Sequence, residues 1–188
     1  MRIIGGTHRG THLTDVGKGD EAAHLRPTSD RVRESLFNVL QGGRFGDPVR
    51  DKCVLDLFAG TGALGLEALS RGAARVTFVE NGAIAGKLIK DNITKLKRQA
   101  DTAILKIDAT QIGLAKMTNR ANLVFLDPPY GKGLGIKALL ATMQAGWIAP
   151  EAIIVWEENT AQPAPRGFTR LDSRKYGDTW ITFLKADP

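Results

Sequence analysis

Val54-Leu55-Asp56-Leu57-Phe58-Ala59-Gly60-Thr61-Gly62-Ala63-Leu64-Gly65 runs from an apolar stretch through a glycine turn into a helical pattern. The apolar run reads as a strand buried on both faces, Val54 to Phe58. Apolar residues then recur at helical spacing from Ala63 to Arg71, and Gly72 suits the left-handed position just past a helix end. Strand, glycine turn and helix in that order open a βαβ unit, and the alternation continues outward. Further strands are expected at Arg75 to Glu80, Ala103 to Asp108, Leu123 to Asp127 and Ile153 to Glu157. Helices are expected at Ile84 to Gln99, Thr110 to Lys116 and Ile136 to Gln144. Phe168 to Leu171 and Thr179 to Leu184 flank a Tyr176-Gly177-Asp178 turn and read as an antiparallel hairpin that closes the sheet.

Gly60, Gly62 and Gly65 satisfy the dinucleotide fingerprint, and Glu80 ends the next strand, where an acid can accept ribose hydroxyls. The spacing alone does not separate a nicotinamide dinucleotide, hence an oxidoreductase, from another adenosine cofactor. Asp56 helps: a carboxylate beside the turn repels a pyrophosphate and attracts an ammonium group. S-adenosylmethionine carries that ammonium and no phosphate.

A second motif follows the run Leu123 to Leu126, namely Asp127-Pro128-Pro129-Tyr130. In an open α/β sheet this end of a strand faces the same crevice as the glycine turn. Two prolines fix φ and remove two N–H donors, which leaves a stiff acceptor edge: the Asp127 carboxylate and the Pro128 carbonyl, with Tyr130 as an aromatic plate. Such an edge fits a planar exocyclic amine on a nucleobase stacked on Tyr130. Directed bonds to both amine hydrogens stabilise the positive charge that develops as the nitrogen attacks a methyl group.

Upstream, the glycine-punctuated residues 1 to about 25 read as short strands with turns. Arg26-Pro27-Thr28-Ser29-Asp30 reads as a helix entry with a hydroxyl cap. Val32, Leu36, Val39 and Leu40 follow at helical spacing, with Arg31, Arg33 and Glu34 assigned to the wet face and Gly42-Gly43 as the stop.

The 188 residues suit one domain with modest appendages. A hydrophobic fraction of 43% and a charged fraction of 24% exclude a disordered chain. Lys plus Arg exceeds Asp plus Glu, 26 to 20, and a net charge of +6 favours a polyanionic partner. A single cysteine, Cys53, points to a reducing compartment, and no secretion signal or membrane span is expected, so the expected location is the cytoplasm. No metal is expected: His8 and His12 lack partners to complete a site. The basic residues Lys87, Lys90, Lys95, Lys97 and Arg98 read as the solvated face of a helix. Gly131-Lys132-Gly133-Leu134-Gly135 reads as a flap or hinge with Lys132 near a phosphate.

The tetrad and glycine turn resemble those of class I S-adenosylmethionine-dependent amino-methyltransferases. More narrowly, Met1-Arg2-Ile3-Ile4-Gly5-Gly6 with Arg9-Gly10, the stretch Arg26 to Asn38, and Asp56 through Ala73 resemble the 16S ribosomal RNA guanine-N2 methyltransferase family. The stretch Thr7-His8-Arg9-Gly10-Thr11-His12 departs from that family in carrying fewer basic residues. The resemblance implies a Rossmann-like, mostly parallel seven-stranded sheet with an antiparallel last strand. It also implies a small amino-terminal strand and helix extension, residues 1–45, facing RNA, ahead of a cofactor-binding core, residues 46–188.

It further implies that Asp56, Phe58, Gly60, Thr61 and Gly62 line the methionine part of S-adenosylmethionine, that Glu80 with Asn81 holds the ribose, and that Asp108 with Ala109 holds the adenine. Asp127, Pro128 and Tyr130 would receive the guanine amine. Arg2, Arg9, Arg26, Arg31, Lys132 and Arg174 are the expected RNA contacts. The partner would be 16S ribosomal RNA or an assembling small subunit, met by a monomer. Two rivals stand: a DNA adenine-N6 methyltransferase with the same chemistry, and a catalytically silent ribosome-assembly module that binds RNA.

Overall fold

The computed structural model describes residues 1–14, 29–115 and 120–188. Seven strands form one sheet: β1 Cys53–Leu57, β2 Arg75–Val79, β3 Thr102–Leu105, β4 Ala121–Leu126, β5 Ile148–Glu158, β6 Phe168–Tyr176 and β7 Thr179–Ala186. Their order is β3-β2-β1-β4-β5-β7-β6, with β7 antiparallel to both of its neighbours and the other pairings parallel. The helices are α1 Asp30–Gln41, α2 Ala63–Ser70, α3 Ala83–Lys95 and α4 Leu134–Gln144. This is the expected Rossmann-like sheet with its last strand reversed. The chain crosses from β3 back to β4 beside β1, so the carboxyl ends of β1 and β4 meet where the strand order reverses, the position at which such sheets bind ligands.

Continuous apolar runs are buried from both sides. Val54, Val76, Phe78, Leu123, Phe125 and Val155 pack with Leu36, Phe37, Leu66 and Ile89 of α1 to α3 on one face. Leu55, Leu57, Val124, Leu126, Ile154 and Trp156 pack with Ala138 and Leu139 of α4 on the other. Ile3, Leu13, Leu36, Phe37 and Leu40 belong to the first of these clusters, so the amino-terminal extension shares the core of the sheet. Its chain reversal is held by the Ile3 N–H to the Thr11 carbonyl (2.9 Å) and the Gly10 N–H to the Ile3 carbonyl (2.8 Å), with one isolated bridge, Arg2 to His12, where short strands were expected.

Several boundaries differ from the sequence expectation for identifiable reasons. β5 begins at Ile148, because Ala121 pairs with Ile148 before an irregularity restores the register at Leu123 and Ile153. Pro150 and Glu151, the latter at φ 59°, separate Ile148 from the apolar run Ile153 to Trp156 that the sequence reading relied on. The expected helix from Thr110 to Lys116 is absent from the described part of that stretch. A 3-10 turn, Ala109–Gln111, is capped by the Asp108 side chain and followed by extended Ile112, with Gly113 next. Ser29 does cap α1, accepting from the Val32 N–H, while Arg26 and Pro27 of the proposed helix entry lie outside the described residues.

Arg33 corrects the expected wet face of α1: it is fully buried. Its partners explain why. Asp30 lies 2.9 Å from one guanidinium nitrogen, which also donates to the Arg2 carbonyl, and Glu67 of α2 lies 3.7 Å from Nε. Glu67 is itself fully buried and accepts the Ile4 and Gly5 N–H groups at 2.8 Å each and Arg71 Nε at 2.7 Å. One carboxylate thus joins the amino-terminal arm, α1 and α2. Arg98 is also more than solvated surface. It pairs with Asp101 at 2.5 Å and donates to the Leu69 carbonyl at 3.2 Å.

Candidate active site

The turn between β1 and α2 requires unusual backbone. Phe58 (φ 58°), Gly60 (φ 55°) and Gly62 (φ 77°) all occupy the left-handed region, which is costly for a phenylalanine and points to a built feature. Glu80, just past β2, fastens this turn: one oxygen accepts the Gly60 N–H at 2.9 Å and the other the Gly82 N–H at 2.7 Å. At Gly65 an added Cβ would stand 2.4 Å from Phe78 Cε1, so only glycine lets α2 lie this close to β2. Fully buried Asn92 of α3 accepts the Thr14 N–H at 2.7 Å and donates to the Thr61 carbonyl at 3.2 Å. It therefore ties the turn to the amino-terminal arm, a role the sequence reading missed.

Asp56 lies beneath the turn, 2% exposed, with Oδ2 accepting the Gly65 N–H at 2.9 Å. Burial pushes its carboxyl up to about 8; the Gly65 N–H opposes this and the Glu80 charge adds to it. The fold therefore favours the protonated form. The stability this contributes is complete below the unfolded carboxyl's pKa near 4 and is lost as pH rises through about 8. The unliganded protein is expected to melt at progressively lower temperature between pH 5 and about pH 9. Asp56→Asn, which cannot ionise, should flatten that slope. A wild-type slope unchanged in the variant would assign the pH dependence to other groups.

Asn81 stands exposed beyond Glu80, and Ala109 is buried after β3. Asp108 Oδ1 accepts from both the backbone N–H and the hydroxyl of Thr110 at 2.8 Å. The Glu80 N–H donates to the Leu105 carbonyl at 3.1 Å, so the ends of β2 and β3 that carry these residues are adjacent.

The second half of the site gathers acids. Leu126 pairs with Trp156, so Asp127 and Glu157 follow side by side on β4 and β5. The Asp127 carboxyl is raised well above the ordinary carboxylate range, first by removal from water and then by the charges of Glu157, Asp56 and Glu158. Pro128 is buried and Pro129 exposed. The Tyr130 hydroxyl donates to Glu157 Oε1 at 2.8 Å and lies 3.2 Å from Thr179 Oγ1. Burial, more than any other influence, pushes its phenol up. Glu158 accepts the Gly131 N–H and the Asn159 N–H at 2.8 Å each, which anchors the loop after the prolines. The sequence reading did not single out Glu157, Glu158 or Thr179. Two adjacent acids directly after Ile153-Ile154-Val155-Trp156 were the available signal.

Tyr130 and Glu157 open onto a cavity of about 670 Å³, lined on its other sides by the start of α1 (Ser29, Arg31, Val32, Ser35) and the β6–β7 turn. Ser35 Oγ, 3.1 Å from the Tyr176 hydroxyl, holds those two walls together. Of the expected RNA contacts, Arg31 lines this cavity, Arg2 is 60% exposed and 3.6 Å from Asp30, and Arg9 and Lys132 are exposed. Arg174 is hydrogen-bonded to Asp172 at 2.9 Å, and Arg26 lies outside the described residues. His8 is pushed toward its neutral form by burial and then by the Arg98 charge. Among the described residues, no helix is long and apolar enough to cross a membrane and no His, Cys, Asp and Glu cluster has the makings of a metal site.

Comparison with known proteins agrees with this architecture. A family model described as Conserved hypothetical protein 95 matches residues 1–185. The Escherichia coli K12 protein named Ribosomal RNA small subunit methyltransferase D is 40% identical over 166 residues, which covers 88% of this chain and 78% of that one. The solved structure of the Escherichia coli protein yhhF superposes with a TM-score of 0.81 at 34% identity over all of this chain and 98% of that one. The fold also recurs, with a TM-score of 0.64 at 15% identity, in an RNA methyltransferase from Salinibacter ruber solved with S-adenosyl-L-homocysteine, over 86% of this chain and 94% of that one. The fold is that of the class I S-adenosylmethionine-dependent methyltransferases, and the chain belongs to the family that includes ribosomal RNA small subunit methyltransferase D.

Proposed function

We propose that this protein transfers a methyl group from S-adenosylmethionine to the exocyclic N2 amine of a guanine in 16S ribosomal RNA. The observation that carries the reading is the juxtaposition of two features. Leu57 pairs with Leu126, so the glycine turn fastened by Glu80 and Asp127 follow from adjacent strand ends, and Tyr130, three residues after Asp127, opens onto a cavity large enough for an unstacked base. The residues present fit the cofactor: left-handed Gly60 and Gly62 remove side chains where it approaches, and acidic residues stand in β1 and just past β2. When bound, S-adenosylmethionine supplies a methyl group activated by its sulfonium.

In this reading Phe58, Gly60, Thr61 and Gly62 line the methionine part, Asp56 supports it from below, Glu80 and Asn81 hold the ribose, and Asp108 and Ala109 the adenine. Tyr130 stacks on the target base. Asp127 and the Pro128 carbonyl accept the two amine hydrogens, which aligns the nitrogen with the methyl carbon and stabilises its developing charge. As the N–C bond forms and the sulfur–carbon bond breaks, the nitrogen must lose a proton. In its ionised form Asp127, which in this reading already accepts an amine hydrogen, receives that proton. The extension, residues 1–45, with Arg2, Arg9, Arg26 and Arg31, together with Lys132 and Arg174, forms the phosphate-facing rim.

The test is nucleoside mass spectrometry after incubating the protein and cofactor with small ribosomal subunits, naked 16S RNA or duplex DNA. The expected product is 2-methylguanosine in 16S RNA. Methylated adenine in the DNA, or no methylated nucleoside in any of the three, would reverse the assignment.

A further inference from the structure

We infer that Glu157 selects the target base by accepting the ring N1–H of guanine beside the amine that Asp127 receives. Asp127, Pro128 and Tyr130 recognise an amine but do not specify which base carries it. The inference rests on the guanine-N2 reading and supplies that missing selection.

Three observations place Glu157 for this task. It follows Trp156, the partner of Leu126, so it stands next to Asp127 across β4 and β5. Phe125 and Val155, two residues earlier on each strand, pack on the α1 side of the sheet, and strand alternation puts Asp127 and Glu157 on that side too. Finally, Glu157 is only 7% exposed, yet it lines the cavity, oriented by the Tyr130 hydroxyl at 2.8 Å from Oε1.

The chemistry of the bases then discriminates. Guanine, adenine and cytosine all carry an exocyclic amine with a ring nitrogen next to it. In guanine the amine lies between two ring nitrogens, of which N1 bears a hydrogen and N3 a lone pair. In adenine and cytosine the one adjoining nitrogen presents a lone pair. A second carboxylate beside the amine clamp is matched by guanine and opposed by the other two, which is selection through a repulsive as well as an attractive contact. A site built to receive a particular N–H rejects analogues lacking it far more strongly than a site that merely fits a shape.

The test uses small subunits reconstituted around 16S RNA that carries guanine, 2-aminopurine or 6-thioguanine at the modified position. 2-Aminopurine keeps the 2-amine but has a lone pair at N1; 6-thioguanine keeps N1–H and alters only the 6-position. Wild-type protein is expected to use 6-thioguanine within about 5-fold of guanine, and 2-aminopurine at least about 100-fold less efficiently in kcat/KM. Glu157→Gln can donate to a lone pair, and should shrink the guanine to 2-aminopurine ratio to about 10-fold or less, with cofactor affinity unchanged. Equal use of guanine and 2-aminopurine by wild type overturns the inference, as does a Gln variant that keeps the full ratio. The three-base comparison on wild-type protein decides the matter even if the variant does not fold. Absence of 2-methylguanosine from the wild-type reaction on the guanine subunits overturns the target reading itself, and the inference with it.

Discussion

Asp127→Ala is expected to lower kcat by about 10³-fold while S-adenosylmethionine affinity stays within about 3-fold of wild type. The asymmetry follows from where the contact forms. Asp127 stands on the acid row of β4 and β5, whereas the turn that would cradle the cofactor is fastened by Glu80, Asn92 and the Gly65 N–H bond to Asp56. Removing Asp127 leaves that fastening intact and takes away an acceptor needed most as the amine gains positive charge. Asp127→Asn keeps one acceptor oxygen and should retain more activity than alanine, with no strong proton acceptor. Single-turnover methyl transfer from labelled cofactor measures the first quantity, and calorimetric titration the second. A variant that loses cofactor binding and turnover together would place Asp127 in the cofactor site instead.

Glu67→Ala is expected to be the most destabilising single change in the chain outside the apolar core, at about 3–5 kcal/mol. Glu67 is fully buried and receives Ile4 N, Gly5 N and Arg71 Nε, with Arg33 Nε at 3.7 Å. Removing the acid leaves fully buried Arg33 with Asp30 as its remaining acid and takes the acceptor from two backbone donors. In a domain of this size that corresponds to a fall in melting temperature on the order of 10 °C. The damage should begin at the amino-terminal arm, because Glu67 holds Ile4 and Gly5 there, and the next contacts along the arm, His8 N and the Gly5 carbonyl, are with Ser70 of the same helix. Limited proteolysis should therefore cut the arm before the core in the variant. A variant that melts within about 2 °C of wild type would show that water or a rearranged Arg33 replaces the carboxylate.

The sequence by itself determined the architecture. Buried parallel strands announce themselves as continuous apolar runs, Gly60 and Gly62 mark a turn in the left-handed region that glycine adopts most cheaply, and Gly65 a close helix approach that leaves no room for a Cβ. The Asp127 tetrad was equally legible, because two prolines after a strand restrict the backbone whatever surrounds them. Tertiary structure decided whatever depends on partners far apart in the chain. Arg33 reads as solvated from its own helix, and its burial depends on the Arg2 carbonyl and a buried acid on α2 as well as on Asp30. Glu157 reads as the end of an apolar strand until the register of β4 and β5 sets it beside Asp127 and folding brings Tyr130 to its oxygen. Local pattern encodes backbone and burial. A charge's role is set by which other charges share its low-dielectric surroundings, and the strand order and helix packing assemble those.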